Sequence, residues 1–333
     1  MSNGCICWVI ALASEAKTLI KEFKMYLMPG DTLFPIYKNK NENEWLVITG
    51  VGQLNVAEAL AWFRSESYQS PGDSGPVFQV VDQAQNIQEA IIEPDARIVM
   101  GDAQLVKAVG GVVSVEASNS LQGLSFFDAG QSSYAIEDTA AALMLTSTAA
   151  ALESLNVDGV ASITLVDAGA NDLANAADGV SLNAISDNLT NSATMSFSVE
   201  DSATNLSANA VNLHLADDVS VGATGDNDLT VSQADDLNAI SNYDHDGGYT
   251  ITDNAAAVAG SSTTILGDSD SVTVTGVADA TQGVTINGFE GTLGTITFNV
   301  EDSATNLSLN SANLLLADDV SVGATGDNDL TVS

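Results

Sequence analysis

The chain has 333 residues, with 44 acidic residues against 8 basic ones, a net charge of −36 and 45% hydrophobic residues. Such a polyanion cannot grip nucleic-acid phosphates, because that affinity rests on Lys and Arg releasing counterions, and an anionic membrane surface repels it. Two cysteines exclude a disulfide scaffold, no apolar run reaches the ~18–20 residues of a membrane-spanning helix, and the apolar content is too high for a charged disordered tail.

The charge is divided along the chain. Residues 1–66 hold six of the cations and seven acids, whereas the other 267 residues hold 37 acids and only Arg97 and Lys107; from Val109 onward there is no Lys or Arg. All three tryptophans and both cysteines also lie within residues 1–66. These shifts predict a short α/β segment over 1–66, a linker rich in Gly, Ser and Pro over 67–76, and a second segment over 77–333.

Residues 6–13 form a short apolar run with β-branched members and read as a buried strand. Ala11-Leu12-Ala13 imitates a signal-peptide cleavage site, but no cation precedes the run. Ser14 stands where a helix cap would, and Ala16, Leu19, Ile20 and Phe23 follow at helical spacing. Strands are predicted at Leu33–Tyr37 and Trp45–Thr49, with a polar turn between them. Gly50-Val51-Gly52 then leads into a helix running to about Phe63, a turn that exposes N–H groups able to hold an anion. Cys5 and Cys7 share one face of the first strand and read as small buried residues. The two histidines, His214 and His245, lie far from them, so the four ligands of a closed metal site do not assemble.

This order of a strand, an acidic residue at the next helix start, a hairpin and Thr-Gly-Val-Gly before a helix resembles the amino-terminal portion of the nucleoside phosphorylase and methylthioadenosine/adenosylhomocysteine nucleosidase superfamily. The resemblance covers about 60 residues, roughly a quarter of such a domain. It implies that Glu15 would help bind the reactive water and that Gly50 and Gly52 would border the phosphate or nucleophile pocket. No later segment resembles the family's ribose-binding stretch or its purine-protonating Asp, and acid–base work needs both partners in place. The expectation is a relic without turnover.

Residues 77–333 are repetitive. Val199–Ser232 recurs as Val300–Ser333 with 30 of 34 positions identical; Ala208/Leu309, Ala210/Ser311, Val211/Ala312 and His214/Leu315 differ. Beneath this lies a shorter pattern: an aromatic residue, Ile/Val two on, Asp four on, Ala six on and Leu/Ile/Val nine on. It starts at Phe78, Tyr134, Phe197, Tyr249 and Phe298. Phe197 and Val199 alternate as a half-buried strand. Asp201 follows where a carboxylate can cap the next helix, with Asp82, Asp138, Asp253 and Asp302 in the same place. Ala203, Leu206, Ala210 and Leu213 give one apolar helical stripe. Further strands are predicted at Val219–Val221 and Leu229–Val231, and Ser232 as the cap of a helix through Ile240. A unit of ~50 residues cannot bury its apolar face alone, so an elongated α/β solenoid with parallel strands and about five units is expected. After Ser232 the earlier copy continues Gln-Ala-Asp-Asp-Leu. The later copy stops at Ser333, as expected of an array cut within a unit and joined at its start to part of another gene.

Carboxylates without cationic partners favour extension or bound cations, and calcium suits oxygen ligands best. The candidate metal residues are Asp226, Asn227 and Asp228, their copies Asp327 and Asp329, and Asp244 and Asp246 in Asp-His-Asp-Gly-Gly. Neither an EF-hand loop nor tandem nine-residue repeat-in-toxin units are present. Gly72-Asp73-Ser74-Gly75-Pro76 echoes a serine-protease nucleophile loop but lacks a preceding His base, so it reads as a linker turn. The segment resembles large, acidic, lysine-poor repetitive proteins that bacteria secrete or display, including adhesin-like and repeat-in-toxin-associated chains. That resemblance implies a non-catalytic stalk, coat or adhesive arm at the cell surface or outside the cell. Its expected partners are surface polysaccharide, other cell-surface molecules or further copies, with calcium as the one possible cofactor. A calcium-responsive extracellular module is the third reading.

Overall fold

A computed structural model describes residues 36–38, 45–47, 53–64, 78–144, 148–166, 173–289 and 295–329. The predicted first strand and the helix after Ser14 lie outside them. The chain forms two compact units, Met1–Glu137 with Asn156–Ser162, and Asp138–Leu155 with Ile163–Ser333.

In the first unit, β1 (Ile36–Lys38) and β2 (Trp45–Val47) form the expected hairpin, pairing antiparallel with Ile36 opposite Val47. Next come β3 (Gln53–Leu54), β4 (Gln79–Asp82), β5 (Leu105–Val113) and β6 (Ser133–Asp138), neighbours in chain order and parallel. Helices follow the first three strands: Val56–Phe63, Ala84–Ala90 with Pro94–Asp102, and Val115–Gln122. The strand and helix over residues 53–63 thus pair with the first copy of the repeat motif, Leu54 standing opposite Val80.

The second unit repeats this pattern. Strands β7 (Val160–Leu165, which begins in the first unit), β8 (Leu173–Ala174), β9 (Thr194–Ser196), β10 (Ser198–Asp201), β11 (Asp218–Val221), β12 (Asp228–Leu229), β13 (Thr250–Asn254), β14 (Ser271–Ala278), β15 (Thr295–Asp302) and β16 (Asp319–Val322) are interspersed with helices, β9–β10 and β11–β12 following one another without a helix between them. Sheets form in the orders β8-β10-β11 and β12-β13-β14-β15-β16, with every pairing parallel. Paired residues are 20 to 26 positions apart, from Val300 opposite Val320 to Leu54 opposite Val80. Each ~50-residue period therefore holds two strand-and-helix turns. Successive helices pack on one another, Ala203–Asn209 against Val231–Asn238 and Ala255–Gly260 against Ala280–Asn287.

The motif explains the core. The aromatic residues Phe78, Tyr134, Phe197, Tyr249 and Phe298 are all buried, as are Val80, Ile136, Val199, Ile251 and Val300 two positions on. A parallel pair is joined by a crossover helix, which covers one sheet face, and the stripe Ala203, Leu206, Ala210 and Leu213 is buried as its spacing requires. Two of the strands between motif copies carry a bulge, between Val109 and Val112 in β5 and between Thr273 and Val277 in β14. Gly110 and Gly276 take φ values of 79° and 77° at these bulges, which only glycine adopts at low cost.

One helix start differs from the expectation. Thr230, not Ser232, caps Val231–Asn238, through a reciprocal box in which Thr230 accepts from the Gln233 N–H and Gln233 accepts from the Thr230 N–H. Glutamine three residues after threonine makes that box, and Ser232 has no such partner. Val231 consequently opens the helix, and the strand expected over Leu229–Val231 covers Asp228–Leu229.

Candidate functional site

The motif aspartates occupy a different place from the one expected. In three copies the side chain that caps the helix belongs to the next residue: Ser202 accepts from the Asn205 N–H, Asn254 from Ala257 and Ser303 from Asn306, whereas Gln83 caps nothing with its side chain. The aspartate, one position earlier, reaches back to the preceding turn. Asp82 accepts the N–H of Val56 at 2.9 Å, Asp201 that of Ala176 at 2.9 Å, Asp253 that of Val231 at 3.0 Å and Asp302 that of Ala280 at 2.9 Å. Each donor is the first residue of a helix, whose N–H has no partner within the helix. The other carboxylate oxygen accepts the next N–H in its own chain, at 2.7 Å for Ser202 and for Ser303. In three copies it also accepts an amide N–H from the helix, Asn86, Asn205 and Asn306.

Two turns use asparagine for the same purpose. Ala203 donates to Asn227 Oδ1 at 2.8 Å and Ala304 to Asn328 Oδ1 at 2.9 Å, while the amide nitrogens of these asparagines donate to Gly222 and Gly323 carbonyls. Sequence reading placed Asn227 only among metal candidates and gave no sign of this role, because its five-residue spacing from Gly222 matches no helix or strand period; its retention as Asn328 in the copy 101 residues on is the signal that could have shown it.

These bonds set the local electrostatics. Burial pushes the Asp201 carboxyl up, but hydrogen bonds from Asn205, Ala176 and Ser202 outweigh it and hold the group below its ordinary value. The N–H groups of Ala280 and Ser303, with the Asn306 amide, lower Asp302 likewise. Hydrogen bonds to a carboxylate favour the charged form.

The acidic turns chosen as metal candidates fall in two places. Asp226 and Asp327 close their own turns, accepting from the N–H of Asp228 and Asp329. Asp228 accepts from the Thr250 hydroxyl at 3.1 Å. The second place is the loop from Tyr243 to Tyr249, where exposed Asp244 and Asp246 flank His245. The His245 Nδ1 meets Asp268 Oδ2 at 2.8 Å, its ring lies edge-on to Tyr243, and the Gly248 N–H points at Asp270. Asp268 and Asp270 went unnoticed in the sequence because they approach from the next turn, 22 and 23 residues away.

This loop is strongly anionic. Burial raises the Tyr243 phenol well above its ordinary value, with Tyr249, Asp268, Asp244 and Asp270 raising it further. Burial also carries Tyr249 to about 12 against the lowering hydrogen bond from Asn238, with smaller upward contributions from Asp268 and Asp270. Both phenols stay protonated at neutral pH. Among the described residues no group of three or more His, Cys, Asp or Glu is arranged to hold a metal ion, and no helix is long and apolar enough to cross a membrane. Glu15, Gly50, Gly52, Cys5, Cys7 and the Gly72–Pro76 turn lie outside the described residues. Compared with known proteins, the chain matches no family model, no curated protein and no solved structure.

Proposed function

We propose that the chain is a non-catalytic structural segment, an α/β solenoid acting as a spacer or adhesive arm of a secreted or surface-displayed bacterial protein. The observation that carries this reading is the recurring bond from four of the five motif aspartates, Asp82, Asp201, Asp253 and Asp302, to the helix start of the preceding turn, in sheets whose strands run parallel. Contacts of this kind tie neighbours only, the arrangement in which stability sums over adjacent repeats. The dense negative charge suits extension, since elongation separates like charges, and a polyanionic surface stays soluble at high display density.

Single-molecule pulling between the chain ends tests the mechanical role. Neighbour-only contacts release one turn at a time, and the 20–26 residues between paired positions give length increments of roughly 70–90 Å at ~3.5 Å per extended residue. A single rupture releasing each unit whole would refute the spacer reading.

A further inference from the structure

An Asp or Asn followed by Gly can close on itself, the glycine nitrogen attacking the side-chain carbonyl carbon, because glycine has no Cβ to shield that nitrogen. Four such pairs lie among the described residues: Asp158-Gly159, Asp178-Gly179, Asp246-Gly247 and Asn287-Gly288. The fold treats them differently. In two of them both reacting groups are held. The Gly179 N–H donates to the Asn175 carbonyl at 2.8 Å, while the Asp178 carboxylate accepts the Asn175 amide N–H at 2.9 Å. The Gly288 N–H donates to the carbonyls of Val284 and Thr285, both at 3.0 Å, while Asn287 Oδ1 accepts the Leu316 N–H at 2.8 Å. Gly159 is wedged against main chain: its carbonyl accepts the Tyr134 N–H at 2.9 Å, and a Cβ there would stand 2.8 Å from the Ala129 carbonyl oxygen. Asp246-Gly247 is under none of these restraints. Asp246 is exposed, and neither its carboxylate nor the Gly247 N–H has a hydrogen-bond partner among the described residues. The atom nearest a Cβ on Gly247, Asp270 Oδ1 at 2.8 Å, ends a side chain that can turn away.

We propose that Asp246-Gly247 is a site of spontaneous covalent modification, at which the aspartate becomes isoaspartate through a cyclic imide, with water as the co-reactant. The Gly247 nitrogen bonds to Asp246 Cγ, and the hydroxyl of the protonated carboxyl leaves as water with the Gly247 amide proton. Water then adds to the main-chain carbonyl carbon of the ring. The bond from that carbon to the Gly247 nitrogen breaks, so the chain now runs through Cγ and the former main-chain carbonyl is a free carboxylate. No atom is gained or lost overall, and nothing is oxidised or reduced. The product lengthens by one backbone atom a loop fixed at both ends by the buried Tyr243 and Tyr249 and tied between them by His245 to Asp268. Tyr243 also bridges to Val219, so the change bears on the joint between neighbouring turns.

The test incubates the full folded chain in warm, neutral buffer for weeks and withdraws samples for chymotrypsin digestion. Cleavage after Tyr243 and Tyr249 releases Asp244–Tyr249, and electron-transfer fragmentation separates isoaspartate from aspartate in this peptide at unchanged mass. Isoaspartate is expected to accumulate at position 246 about tenfold or more faster than at 178, where ring closure first needs local opening of the helix. It should also outpace position 158 and deamidation of Asn287. Asp246→Glu, whose longer side chain cannot close the same ring, should abolish the isomeric peptide. In urea the advantage of position 246 over 178 should vanish. Equal rates at 246 and 178 in the folded chain, earlier conversion at 158, or an advantage that persists in urea would overturn the proposal, the last because local sequence and not the fold would then select the site.

Discussion

Asp302 Oδ2 accepts the N–H of Ala280 at 2.9 Å, joining positions 22 residues apart. The donor opens one helix and the acceptor precedes the next, so a single side chain fixes the spacing of two turns. Asp302→Ala removes the acceptor and leaves a helix-start N–H unsatisfied, a loss of about 1–2 kcal/mol. Asp302→Asn retains an acceptor, as Asn328 does for Ala304, and should cost less than about 1 kcal/mol. Urea unfolding of the two variants beside the parent checks the order; equal losses would show that charge, not hydrogen bonding, holds the turn.

The same bonds give a pH dependence. Asp201 and Asp302 are both held below their ordinary value in the folded chain. Their contribution is therefore fully present above the unfolded carboxylate pKa of about 3.9 and is lost as pH falls through the lower folded values. A double Asp201→Asn, Asp302→Asn variant should lose less stability than the parent on acidification below pH ~4. Parallel acid titrations of the melting temperature would reveal it; identical curves would mean these two carboxylates are not lowered by folding.

Tyr249 carries the opposite sign. Its pKa of about 12 lies above the unfolded value of 10.0. The protonated phenol's advantage is complete below pH 10 and declines above it, by roughly 1.4 kcal/mol per pH unit per proton. Tyr249→Phe should flatten the alkaline limb of a stability profile between about pH 10 and 12, at the cost of the 3.4 Å hydrogen bond from Asn238. An unchanged limb would place the alkaline transition elsewhere.

Two helical glycines separate packing from propensity. A Cβ on Gly283 would stand 2.8 Å from both Leu314 Cδ2 and Val300 Cγ2, and Gly179 meets Val199 and Leu213 in the same way, whereas Gly260 has nothing within 4 Å. Alanine gains about 1 kcal/mol of helix propensity, but overpacking against a stiff valine costs about 1–3 kcal/mol. Gly283→Ala should therefore destabilise by about 1 kcal/mol while Gly260→Ala stabilises by a few tenths. Denaturant midpoints of the pair decide it; a stabilised Gly283→Ala would mean the helix does not sit that close to β15.

Salt should raise the melting temperature by screening self-repulsion of a chain with net charge −36. The turn aspartates Asp226 and Asp327 already accept hydrogen bonds within their turns, so calcium should act no more strongly than sodium at matched ionic strength. An extra rise with calcium that EDTA reverses would instead establish specific sites.

Much of this architecture was legible in the sequence. Alternation at Phe197 and Val199, the stripe from Ala203 to Leu213 and the 34-residue copy at an offset of 101 all depend on fixed periods, and periods survive translation into structure. The link made by Asp201 was not legible, because its donor, Ala176, lies 25 residues away on a helix with no repeated spacing to it. Capping chemistry and reaching backward use the same residue type at neighbouring positions, and only the register of adjacent strands separates them. The pairing of His245 with Asp268 escaped notice for the same reason: side chains that converge from consecutive strand-and-helix segments share no local pattern. The assignment of residues 53–63 to the amino-terminal segment followed composition, which changes after Arg64, whereas strand pairing joins Leu54 to Val80.

Double electron–electron resonance within the second unit measures the stacking itself. Ala177, Ser232, Ala256, Thr281 and Thr305 are each the second residue of a helix, and spin labels there, with Cys5 and Cys7 replaced by serine, report turns along the unit, the step from 177 to 232 spanning two because helix Ala203–Asn209 lies between them. Stacked turns predict that distances from position 177 rise without reversal through 232, 256, 281 and 305, by about 5–10 Å per turn, between strand and helix spacings. Distances that level off or shorten toward 305 would contradict the stack and place these helices around one rounded core.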